Sequence, residues 1–179
     1  MIKIALTRLY TLVLKYLYPG IQIGDKCRID YRVDINNKNH ITLKDNTTLY
    51  KNITIYKDNN GRFEIGYSSH IAPYGYFLIE DQQINIGNNV AIGPFCSFFC
   101  VTNHISEDPN KLHTDTYQKG TIVIGNNVFI GTHCVILPNT IIENNTVIAA
   151  NSTVKGTLKE GWIYGGNPAK PLKELYKNG

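Results

Sequence analysis

The residues of this chain best suited to moving a proton are two histidines in one polar stretch, His104 and His113, within TNHISEDPNKLHTDTYQKG. His104 directly follows the strand-like segment Ser97 to Thr102, which should fix its backbone, whereas His113 lies deeper in the loop. A general base needs that rigidity, so His104 is the favoured one. An imidazole with an unperturbed pKa of about 6.5 is mostly neutral and still basic near pH 7. His133, His40 and His70 stand in corner or early-repeat positions that read as surface or packing. His104, His113 and His133 lack the close pair that a three-histidine zinc site would show, and no metal is expected. Cys27, Cys96, Cys100 and Cys134 have no metal-ligand spacing and read as reduced thiols, which points to the cytoplasm. A Cys96–Cys100 disulfide is the alternative.

Positioning such groups is the task of a pattern that runs through most of the chain. Ile124, Ile130, Ile136, Ile142, Ile148 and Val154 follow one another every six residues. That period is neither helical nor simply alternating, so it predicts a solenoid in which each hexad forms one flat side. The frame also appears, with changes of phase, at Ile23 to Ile41, Leu43 to Ile55, Ile65 to Phe77 and Ile86 to Phe98. Small residues two places before the markers (Val90, Cys96, Val128, Cys134, Thr140, Thr146, Ser152) should share the narrow core with them. Gly87 to Asn89, Gly125 to Asn127 and Glu143 to Asn145 supply corner residues that tolerate positive φ. The frame breaks after Phe98 and resumes at Ile124, leaving one excursion at a corner, where function is commonly carried.

The segments IVIGNNVFIGTHCVILPNT, VIAANSTV and GGNPAK closely resemble the hexapeptide-repeat acyltransferases, most of all their sugar O-acetyltransferase branch of galactoside, maltose and capsular-polysaccharide enzymes. The resemblance implies an all-β fold: a left-handed parallel β-helix with an N-terminal helix, one extruded loop and a short C-terminal helix. The expected divisions are a capping helix over 1–20, the β-helix over 21–157 with its loop at 102–120, and a tail with a short helix over 158–179.

The resemblance also implies roles. His104 matches the histidine that takes the proton from an acceptor hydroxyl as its oxygen attacks acetyl-CoA directly. Thr132 falls where relatives offer a backbone N–H to the developing oxyanion, an interaction whose loss typically costs about 2.7–4 kcal/mol. Asp81, in FLIEDQQINIG, matches an aspartate that meets sugar hydroxyls, with Glu80, Asn85 and Asn103 as alternatives. For the co-substrate, Phe129, Gly131, Ala149 and Ala150 match residues along the pantetheine arm. Lys155, Asn167, Pro168, Lys170 and Lys173 match the phosphate end, where lysines pair with anionic groups. The usual Thr-Lys pair after the last repeat is altered here to Val154-Lys155. Relatives are homotrimers with the site between subunits, so the same is expected. The expected function is acetyl transfer from acetyl-CoA to a sugar or glycan hydroxyl in polysaccharide biosynthesis, with N-acetylation of an amino sugar as the alternative.

With 179 residues, 42% of them hydrophobic, the chain has enough apolar mass for one core. A net charge of +4 without a basic run makes nucleic acid a poor partner. Ile2, Ala5, Leu6, Leu9, Leu12, Val13 and Tyr16 form a helical stripe ended by Pro19-Gly20. It is too short and too charged to span a bilayer. Two readings stay open, a cap on the first coil and a peripheral contact at the inner face of the membrane.

Overall fold

The computed structural model describes residues 2–176. The chain winds into a three-sided prism whose faces are parallel sheets of seven, seven and six strands, the second extended by one antiparallel strand to eight. The first face stacks Ile21–Ile23, Ile41–Leu43, Arg62–Ile65, Gln83–Ile86, Ile122–Ile124, Thr140–Ile142 and Thr157–Leu158. The second runs from Arg28–Ile29 to Trp162–Gly165, and the third from Asp34–Ile35 to Thr153–Val154. Ile122 pairs with Thr140, Phe129 with Val147 and Val135 with Thr153, so three hexads complete one coil. Every marker from Ile124 to Val154 is buried, and so are Val128, Cys134, Thr140, Thr146 and Ser152. The small slots are also tethers: Thr140 Oγ1 lies 2.7 Å from the Leu137 carbonyl and Ser152 Oγ 2.7 Å from that of Ala149.

Corner chemistry divides between asparagine and glycine differently from the sequence expectation. Asn89, Asn127 and Asn145 carry φ of 55°, 54° and 52°. Gly87 and Gly125 are required for another reason. A Cβ on Gly87 would come 2.6 Å from the Gly125 carbonyl oxygen, and one on Gly125 would come 2.7 Å from the Asn144 nitrogen. The coils stack too closely there for any side chain. Asparagines continue the ladder, with the Asn126 N–H donating to Asn144 Oδ1 at 2.7 Å and Asn127 Nδ2 to Asn145 Oδ1 at 2.7 Å.

Cross-coil hydrogen bonds at this first-to-second corner join residues 20, 22, 21, 38 and 18 positions apart in successive coils. Most of the surplus leaves at the edge between the third and first faces, at Asn36 to His40, Asp58 to Gly61, and most of all after Phe99. The phase changes in the hexad frame are thus a series of bulges along that edge. Behind the largest, Phe77 stacks on Phe98 with centroids 4.6 Å apart and meets Phe63 edge-on at 5.4 Å. All three rings are buried and fill the coils that carry the loop.

At the C-terminal end the short helix expected within 158–179 is replaced, among the described residues, by a hairpin. Trp162–Gly165 pairs antiparallel with Lys170–Glu174 on the second face. Gly166 turns at φ 102°, and Pro168 and Pro171 lack the N–H a helix would need. Residues 177–179 of that tail lie outside the described residues. At the other end, the helix Ile2–Leu17 lies against the first strands of the first and second faces. Tyr10 Oη donates to the Val33 carbonyl at 3.0 Å, and Thr11 Oγ1 accepts from the Ile29 N–H at 2.9 Å.

The four cysteines are free thiols. Cys96 Sγ donates to the Gly131 carbonyl at 3.0 Å and Cys134 Sγ to that of Ala149 at 3.2 Å, repeating the tether of the threonines. The adjacent Cys134 sulfur and burial keep the proton on Cys96, and burial pushes the Cys100 thiol up to about 12. Cys27 alone is partly open to solvent. Titration with a disulfide reagent at pH 8 should therefore find one prompt thiol per native chain and four after denaturation. Prompt reaction of three or four would contradict this core.

Candidate active site

The excursion begins as a hairpin in which Val101–Asn103 pairs antiparallel with Tyr117–Lys119. His104 follows the outgoing strand and is held by its backbone. Its N–H donates to the Thr116 carbonyl at 3.0 Å, and the buried Thr116 hydroxyl is bonded to the His104 carbonyl and lies 3.0 Å from that of His113. Asn103 Nδ2 donates to the His113 carbonyl at 2.7 Å. The His104 imidazole has no hydrogen-bond partner among the described residues and lies exposed between two hollows. One, of about 500 Å³, is lined by Glu107, Asp108, Lys111, Asp115 and Tyr117. The other, of about 320 Å³, is lined by Thr102, Ile105, Leu137, Pro138 and Lys155. Lys155 therefore stands with the histidine. His113 opens a short 3₁₀ turn that closes the loop.

The returning strand is braced from below. Lys119 Nζ lies 3.0 Å from Asp81 Oδ1 and 3.3 Å from Glu80 Oε2. The Gln82 amide first, and then Lys119, hold the Asp81 carboxyl below the usual carboxylate range. Its oxygen is thus committed to Gln82 and Lys119, and it lines neither hollow beside His104. Lys119 and Thr116 have no signal in the sequence, because their roles depend on which residues the hairpin brings opposite.

A second constellation lies on the edge between the second and third faces. The Phe95 N–H donates to Pro73 O, the His133 N–H to Pro94 O and the Asn151 N–H to Thr132 O. Pro73, Pro94, Thr132 and Ala150 hence occupy one step of successive coils. Proline has no N–H, so the fold requires no donor at that step. Thr132 and Ala150 retain theirs, and neither N–H donates to any group among the described residues. The Thr132 hydroxyl is used, donating to Pro94 O at 2.8 Å. Gly131 is needed for stacking, since a Cβ there would lie 2.6 Å from the Ala150 nitrogen. The Ala149 N–H is spent on Tyr164 O, and Phe129 points outward, 51% exposed.

One place further on, an aromatic ladder climbs the same edge. Tyr74 stacks on Phe95 at 4.8 Å and Phe95 on His133 at 4.9 Å. The Asn167–Pro168 turn closes the top, with the Thr153 N–H donating to Gly166 O and the Ala169 N–H to Thr153 O. Lys170 and Lys173 stand exposed on the strand beyond it.

The predicted residues thus form two groups on different edges of one chain. His104 and Lys155 share the third-to-first edge, with Asp81 below. Thr132, Ala149, Ala150 and the Asn167–Pro168 turn follow the second-to-third edge. Between Thr132 and Leu137 the chain crosses the third face, roughly 16 Å at 3.3 Å per residue. Within one chain, His104 and the free Thr132 N–H therefore face different edges.

A family model described as bacterial transferase hexapeptide (six repeats) matches residues 121–156. A "Probable macrolide acetyltransferase" of Lysinibacillus sphaericus is 47% identical over an alignment 125 positions long that covers 58% of this chain and 69% of that protein. The chain belongs to the bacterial hexapeptide-repeat transferases. Among these hexapeptide-repeat proteins, a galactoside O-acetyltransferase of Escherichia coli (strain K12) is 32% identical over 118 residues, spanning 63% of this chain and 57% of the relative. The chain therefore covers little more than half of that enzyme's length. The fold is shared with AntD, an N-acyltransferase from Bacillus cereus solved with dTDP and 3-hydroxybutyryl-CoA. That match has a TM-score of 0.78 at 22% identity and covers 93% of this chain and 88% of the other.

Proposed function

We propose that the protein transfers an acetyl group from acetyl-CoA to a hydroxyl of a sugar or glycan. The observation that carries this reading is the His104 imidazole, which is fixed by its backbone, without a hydrogen-bond partner at either ring nitrogen among the described residues, and exposed between two hollows. A neutral imidazole there accepts the acceptor's hydroxyl proton while that oxygen bonds to the thioester carbon. Charge forms on the thioester oxygen, collapse breaks the C–S bond, and the imidazolium returns the proton to the departing sulfur. The N–H of Thr132, left free by the fold, is suited to that oxyanion if it comes from a neighbouring chain. We assign the active assembly as a homotrimer in which the loop edge of one prism meets the Thr132 edge of the next. Lys155, Lys170 and Lys173 supply cations for the phosphates of CoA.

The name of the galactoside relative favours a hydroxyl acceptor. An amino sugar, suggested by an AntD variant solved with dTDP-4-amino-4,6-dideoxyglucose, would use the same base, so acceptor chemistry must be read directly. The test is thiol release from acetyl-CoA with a panel of galactosides, nucleotide sugars, a macrolide and a nucleotide-linked 4-amino sugar. Release dependent on a hydroxylated sugar supports the proposal, and release with the amine alone moves it to N-acetylation. Absence of CoA binding by calorimetry overturns it.

Thr116 acts as a positioning residue for the base. Thr116→Val removes the hydroxyl that ties His104 to His113 and is expected to lower kcat about tenfold with little change in KM, consistent with the cost of a lost buried hydrogen bond. Thr116→Ser should restore most of it. Equal losses in both variants would argue against the tether.

A further inference from the structure

The apolar stripe of the N-terminal helix faces away from the prism. The side turned toward the first coil carries Thr7, Tyr10, Thr11 and Leu14, of which only Thr11 and Leu14 are buried. Ile2, Leu9, Leu12 and Tyr16 are 78%, 60%, 51% and 73% exposed, and Leu6 and Leu17 are exposed with them. The stripe that would ordinarily supply a cap's hydrophobic contact is the one left in solvent. The hydroxyls of Tyr10 and Thr11 anchor the helix to Val33 and Ile29 instead.

Charge follows the same geometry. At about 100° per residue, Arg8 and Lys15 lie on one border between the apolar stripe and the prism-facing side, while Lys3 stands on the prism-facing side itself, at its N-terminal end. The helix contains no aspartate or glutamate. Lys26 and Arg28 extend the basic rim across the hollow between helix and coil. Of the neighbouring acids, Asp25 is paired with Lys15 and Asp30 with Arg32, and Asp34 faces out from the third face. Among the described residues no helix is long and apolar enough to cross a membrane.

We infer that this helix is a membrane-surface anchor that lies flat on a bilayer rich in anionic phospholipid. Its stripe enters the acyl boundary, about 5–10 Å deep, and Lys3, Arg8 and the rim lysines meet lipid phosphates. Sixteen residues give a rod of about 24 Å lying in the interface plane. A helix whose only charges are cationic, continued by Lys26 and Arg28 across the hollow beside Arg8, suits this arrangement, because the stem of Arg8 stays in the apolar boundary while the charges reach the headgroups. A second copy of this chain, which would present the same uncompensated cations, is the poorer occupant.

The test is cosedimentation of the full-length protein with vesicles of phosphatidylcholine alone or containing phosphatidylglycerol, at low and at 0.5 M salt. Binding is expected to rise at least tenfold with phosphatidylglycerol and to weaken with salt. Leu9→Glu combined with Leu12→Glu should abolish it without altering circular dichroism or thermal midpoint, since both side chains are exposed. Lys3→Glu combined with Arg8→Glu should remove the preference for anionic lipid. Failure of the wild type to bind phosphatidylglycerol vesicles, or equal binding by the leucine variant, overturns the inference. So does a change in assembly mass of the leucine variant without vesicles, which would assign the stripe to contact between copies of this chain.

Discussion

Replacing His104 by alanine is expected to lower turnover by about two to four orders of magnitude, the usual contribution of a positioned general base. Calorimetric affinity for CoA should be retained, because the imidazole has no hydrogen-bond partner among the described residues and the thiol-bearing substrate is assigned to lysines and to another edge. The effect is separable from misfolding. His104 is exposed and, among the described residues, hydrogen-bonded only through its backbone, so the alanine variant should melt as the wild type does. A sharper form mixes His104→Ala subunits with subunits in which Thr132→Pro removes the corner N–H while mimicking the coils below, which already carry Pro73 and Pro94 there. If base and oxyanion donor come from different chains, mixed assemblies regain activity that neither variant has alone. Turnover by His104→Ala alone would sink the assignment of the base.

The largest loss of stability is expected at Phe77. Its ring is fully buried between Phe98, stacked at 4.6 Å, and Phe63, edge-on at 5.4 Å. Phe77→Ala removes the middle of this trio and should cost about 3–5 kcal/mol. In a chain of this length that corresponds to a fall in Tm on the order of 10 °C. Leu112→Ala, exposed at the loop tip, serves as the control and should leave the midpoint in place. Because Phe98 leads directly into the hairpin, Phe77→Ala should also loosen His104 and depress kcat below what partial unfolding explains. An unchanged melting curve would mean that the aromatic trio is dispensable to the stack.

The repeat was legible because its core is a local rule. Each Ile marker and its small partner recur at fixed spacing, so Ile124 to Val154 could be placed without knowing what lies beside them. The placement of His104 was legible for a related reason, since a strand ends directly before it. What the sequence concealed depends on neighbours brought from other coils. Lys119 faces Glu80 and Asp81 only because the hairpin returns over them. Gly131 serves the stacking of the next coil. Lys57 is fully buried in an inward position, with its ammonium 2.9 Å from the Asp58 carbonyl and its pKa drawn down by burial, where nothing in the hexad frame announces a cation. The orientation of the N-terminal helix misled for the opposite reason. A strong apolar stripe predicts contact, but it does not say with what, and two hydroxyls decided which side met the prism. The terminal hairpin was hidden because Gly166 and two prolines exclude a helix without specifying the strand pairing that replaces it.

Regular stacking turns the molecule into a ruler. Each full winding of 18 residues raises everything after it by about 4.8 Å while leaving its bearing around the axis unchanged. The height between the imidazole and the terminal lysines can therefore change only in whole rungs. Deleting or duplicating one winding would move the terminal lysines by one rung and leave the direction of every later corner as it was.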